Sequence, residues 1–80
     1  MFKILTTPRK GVTEETALRV AEDAARKLGI TIIEHVYRHK SRQLTLRVED
    51  QDMTTLQRFT MTLREEHKTT FTSISAAKEA

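Results

Sequence analysis

The chain has no cysteine, two glycines and one proline among its 80 residues. Without cysteine there is no disulfide, no thiolate metal site and no cysteine nucleophile. Two glycines, Gly11 and Gly29, cannot build a glycine-rich phosphate loop, and none of Ser41, Ser73 or Ser75 stands in a G-x-S-x-G setting. No apolar run approaches the roughly 20 residues of a membrane-spanning helix, and Met1–Lys10 lacks the basic start and long apolar core of a signal peptide. The expectation is a non-enzymatic protein with no cofactor and no membrane partner, cytoplasmic or recombinant and soluble.

What is present is charge and helix-forming pattern. Hydrophobic residues make up 38% and charged residues 31%, which suits one small domain over residues 1–80 with a thin core. The net charge of +3 permits an acidic partner without requiring one, because acids and bases are interleaved along much of the chain. Thr13–Ile30, TEETALRVAEDAARKLGI, is the most legible stretch. Thr13 is suited to cap a helix, Glu14 and Glu15 occupy its positive first turn, and Arg26 and Lys27 its negative last turn. Gly29 followed by Ile30 predicts a Schellman stop. Ala17, Leu18, Ala21, Ala24, Ala25 and Leu28 form an apolar stripe whose alanines imply close approach to a covered surface. Glu15–Arg19, Glu22–Arg26 and Asp23–Lys27 are acid-to-base steps of four, together about 1 kcal/mol of bias towards helix.

Around that helix the rest of the chain falls into order. Met1–Thr7 alternates as a strand stopped by Pro8, and Ile30 to about His39 is a second strand with a bulge expected near Ile33–Glu34. After a turn at Lys40–Arg42, Gln43–Glu49 alternates with Leu44, Leu46 and Val48 inward. Asp50 or Asp52 caps a second helix running to about Glu66, with Met53, Leu56, Phe59, Thr60 and Leu63 on its core side and Met61 outside. Lys68 to about Ser75 reads as an irregular fourth strand, and Ala76–Ala80 as a frayed tail. Strand, helix, strand, strand, helix, strand predicts an α+β ferredoxin-like two-layer sandwich, βαββαβ, its four-stranded antiparallel sheet in the order 4-1-3-2 with both helices on one face.

Function is then sought on the uncovered sheet face. His35 and His39, four residues apart on a straight strand, would stand about 13 Å apart, too far to share a metal ion. Glu34 sits in an apolar strand, where pairing with a nearby arginine outweighs general-base work. The basic run Arg38, His39, Lys40 and Arg42, with Lys3, Tyr37 and Arg47 expected on the open face, offers cations and one ring to an acidic partner or RNA. RNA-recognition motifs share the element order but carry aromatics on the first and third strands, where this chain has Lys3, Leu5, Thr45 and Arg47. Basic residues guarding an edge strand explain the same run. A homodimer through the open face or an edge fits the same pattern.

In the first half, Pro8, Gly11 and Val12 with Gly29-Ile30-Thr31-Ile32 after the helix resemble ACT regulatory domains. That resemblance implies amino-acid sensing by paired domains, with ligand held near Arg9–Val12. The capping and charge pairing of the first helix and the scarcity of glycine are also habits of design, against which stand the threonine-rich second helix and a hairpin without glycine. The reading that follows is a de novo or engineered scaffold with no catalytic, cofactor or metal residues and no built-in ligand; the alternative is a binding module of ACT-like or weak nucleic-acid-binding type.

Overall fold

The computed structural model describes residues 1–79. Its elements are β1 (Phe2–Pro8), α1 (Glu14–Lys27), β2 (Ile32–Arg38), β3 (Gln43–Val48), α2 (Met53–Met61), a π-helical turn (Thr62–Glu66) and β4 (Phe71–Lys78). The four strands form one open antiparallel sheet in the order β2-β3-β1-β4, which is the expected 4-1-3-2 counted from the other edge. This is the α+β arrangement that the strand and helix patterns anticipate.

Residues of one parity on the two central strands are buried: Phe2, Ile4 and Thr6 on β1, Leu44, Leu46 and Val48 on β3. They join Ala17, Ala21, Ala24 and Ala25 of α1 and Leu56 and Phe59 of α2 in one core. Burying a hydroxyl without a partner is costly, and Thr6 avoids this by donating to the carbonyl of Leu44 at 2.8 Å. Among the described residues no buried side-chain nitrogen or oxygen lacks a partner.

Helix α1 is fixed at both ends as its sequence dictates. The N–H of Thr16 donates to the Thr13 hydroxyl at 3.1 Å. At the other end Gly29 has φ +71°, and the amides of Gly29 and Ile30 donate to Arg26 and Ala25, the pair of bonds that defines a Schellman motif. The three expected ion pairs at steps of four are not formed among the described residues; Arg26 turns back to Asp23 at 3.2 Å instead. Both side chains are largely in water, where such pairs exchange at little cost.

The other half departs further from its sequence reading. Asp52 caps α2 by accepting from the Thr55 amide at 2.7 Å, but α-helix gives way to a π-turn after Met61. Met53, assigned to the core, is 59% exposed, since it is the first residue after the cap and precedes the turn that contacts the sheet. Strand β4 begins at Phe71 rather than Lys68, because the Thr70 and Phe71 amides both close a turn on the carbonyl of His67. The expected fraying from Ala76 is wrong for the described part: Ala76, Ala77 and Lys78 pair with Ile4, Lys3 and Phe2, and only Ala80 lies outside the described residues. The irregularity expected in β4 is present as a register shift between Thr7 and Pro8 that leaves Thr72 unpaired.

Candidate functional site

The sheet face away from the core is built of three cross-strand rows. Glu34, Arg47, Lys3 and Ala77 form the first, Val36, Thr45, Leu5 and Ser75 the second, and Arg38 opposite Gln43 begins the third. All of these but Ala77 and Ser75, together with Glu79, line a shallow depression of about 450 Å³. Its middle row is weakly apolar, with Val36 47% exposed.

Arg47 is its electrostatic centre. Its Nε donates to Glu79 at 2.9 Å and its Nη1 to Glu34 at 3.0 Å. The hydrogen bond to Glu79 first, and then that to Glu34, raises the Arg47 pKa above its ordinary value. A guanidinium already held by two carboxylates of its own chain offers little unmet charge to a phosphate. Glu34 thus takes the arginine partner its sequence context suggested.

The bulge decides where the aromatic ring goes. Register shifts between Ile32 and Glu34, so Ile32 lies opposite Val48 and Tyr37 opposite Leu44, both core-side positions. Tyr37 is half-buried against the core and meets His39 edge-on, ring centres 4.9 Å apart. The expectation that Tyr37 shares the open face with Lys3 and Arg47 is therefore corrected: an inserted residue swaps the faces of all that follow it. Lys3, Arg38 and Arg47 lie on the open face, while Lys40 and Arg42 stand in the exposed turn beyond the strand ends. Arg42 holds φ +54° there.

The Arg9–Val12 loop is engaged within the chain. The Arg9 amide donates to the Thr70 carbonyl at 2.8 Å, its Nε donates to the carbonyl of Lys68, and the Val12 amide donates back to Arg9 at 3.0 Å. Gly11 takes φ +93°, which explains why glycine stands at that position. Among the described residues no group of three His, Asp or Glu side chains is placed to hold a metal ion, and no helix is long and apolar enough to cross a membrane.

A second concavity escaped the sequence reading. It is a groove of about 440 Å³ between α2 and the outer edge of β4, lined by Phe2, Met53, Leu56, Thr60, Ala76 and Lys78 among others. The signal for it was the run of small residues Ser75-Ala76-Ala77, which leaves space beside α2 where larger side chains would fill it. Comparison with protein-family models, curated proteins and solved structures found no match to this chain.

Proposed function

We propose that the chain is a ferredoxin-like sandwich serving as a non-enzymatic scaffold, designed or engineered to hold its shape, with no ligand on its open face. The observation that supports this reading is Arg47 in the grip of Glu34 and Glu79: the cation best placed to receive an anion serves to tie strands together. The satisfied buried polar groups and the paired caps of α1 point the same way. Adding single-stranded RNA, or an amino acid, to labelled protein tests it by amide shifts. The expected result is no saturable movement at Lys3, Arg38 or Arg47, nor at Arg9–Val12. Saturable shifts in either set overturn the scaffold reading. A melting temperature above about 90 °C would add weight to a designed origin.

A weak nucleic-acid binder is the second reading, favoured by Arg38, Lys40 and Arg42, three exposed cations at one hairpin end with no ion pair among the described residues. It requires RNA-induced shifts confined to that end and abolished by salt, since phosphate contacts release counterions.

A further inference from the structure

We propose that the outer edge of β4 is a self-association surface, on which a second copy of the chain pairs antiparallel about a two-fold axis at Ala77. The Glu79 amide donates to the Met1 carbonyl at 2.9 Å, and β4 keeps one register with β1 from there back to Ser73. Residues of an antiparallel strand alternate between facing one neighbour and facing the other. Ser73, Ser75 and Ala77 therefore bond to β1, while Ile74, Ala76 and Lys78 turn both N–H and C=O outward.

One of those three positions is taken. Arg64, carried by the π-turn, donates from Nη2 to the Ile74 carbonyl at 2.9 Å. Ala76 and Lys78 are left as unpaired ladder groups beside the α2 groove. Edge strands are ordinarily protected by charge, proline or a bulge. The opposite edge has such protection, in Glu34, His35, Arg38 and the register shift at Ile33. Along β4, FTSISAAK, there is no proline, the only charge is Lys78 at the strand's last residue, and the one irregularity is at Thr72, away from Ala76.

These constraints select both the occupant and its register. Outward residues must meet outward residues, so even positions pair with even positions across a two-fold axis. Registers that place another β4 residue, Phe71–Lys78, opposite Ile74 would displace Arg64. The pairing that uses both free positions sets Ala76 opposite Lys78 of the second copy, and Ala77 opposite its own equivalent. Each Lys78 then lies alongside the other copy's groove, where Asp52 stands beside that copy's own Lys78 and can accept the incoming lysine. The small side chains of Ser75, Ala76 and Ala77 leave the approach open. Four backbone hydrogen bonds and a short apolar groove fall below the roughly 800 Å² per partner of a standard interface, so the dimer is weak, with Kd of about 100 μM.

Ala77 and its equivalent form a non-hydrogen-bonded pair, whose Cα atoms stand about 4.5 Å apart, within reach of a disulfide. In a chain without native cysteine, Ala77→Cys is expected to form a disulfide dimer under mild oxidation at least about ten times faster than Ser75→Cys. Sedimentation of the unmodified chain from about 10 μM to about 1 mM should show reversible dimerisation. Ala76→Pro should abolish it while leaving the circular dichroism unchanged, because the amide it removes has no partner in the monomer. A chain that stays monomeric at the highest concentration overturns the proposal. So does equal cross-linking at Ser75→Cys and Ala77→Cys, or dimerisation by folded Ala76→Pro at the original strength.

Discussion

Glu79 accepts a hydrogen bond of 2.9 Å from Arg47 Nε, tying the residue that follows β4 to the penultimate residue of β3 across the intervening β1. Replacing Glu79 by Gln keeps the shape but removes the charge, and Arg47 still has Glu34. The expected outcome is local: amides of Ala77 and Glu79 exchange faster with solvent while core amides of β1 and β3 are unchanged. Hydrogen exchange resolved by residue checks it. Uniform acceleration across the sheet would mean that Glu79 supports global stability instead.

Arg42 sits at φ +54°, a region that costs a side chain of this kind about 1 kcal/mol or more. Arg42→Gly should therefore raise stability by about 0.5 kcal/mol, the gain in the turn being partly offset by the greater freedom of glycine when unfolded. Denaturant titration reads this as a higher midpoint with the same slope. Arg42→Val, branched at Cβ, should move the midpoint the other way.

Phe59 is fully buried and is the largest such side chain, whereas Met53 on the same helix is 59% exposed. Phe59→Ala should cost about 3–5 kcal/mol, a large part of what a small domain possesses. Met53→Ala should stay within about 0.5 kcal/mol. Paired thermal melts of the two variants compare them directly.

Acid should weaken the fold partly through Asp52. Its carboxylate lies below the ordinary aspartate value of 3.8, chiefly because the Thr55 amide donates to it. A depressed folded value means the contribution is present above the unfolded value and is lost as pH falls through the folded one. Asp50, lowered by its hydrogen bond with the N-terminal amine, acts with the same sign. Asp52→Asn still offers a capping oxygen, so melting at neutral pH should change little while the fall in melting temperature between about pH 5 and about pH 2 becomes shallower. An unchanged acid limb would show that Asp52 is not a contributor.

Sequence alone carried the elements whose signals are local. Gly29-Ile30 ends α1 by a Schellman motif because the αL residue and its apolar follower are adjacent, and alternation from Leu44 to Val48 names the buried side of β3. The misreadings arose where the answer depends on a distant partner. Ala76 and Ala77 have little strand preference of their own, and are strand because β1 needs a neighbour there. The bulge at Ile33 was visible in the broken alternation, but its effect on Tyr37 follows only once β3 fixes the register on both sides of it. At the candidate site the basic residues were legible as a group. That Arg47 is neutralised was half legible, for Glu34 lies in the neighbouring strand but Glu79 lies 32 residues away in sequence.

The contact between the Glu79 amide and the Met1 carbonyl, with the Met1 amine held by Asp50, makes the path of the backbone almost a closed ring. The pattern of strand pairing is therefore nearly indifferent to where the ring is cut. A cut in the His39–Arg42 turn would sever no rung of the ladder, and β1 would keep the same two neighbours if the chain were reconnected through Met1 and started there.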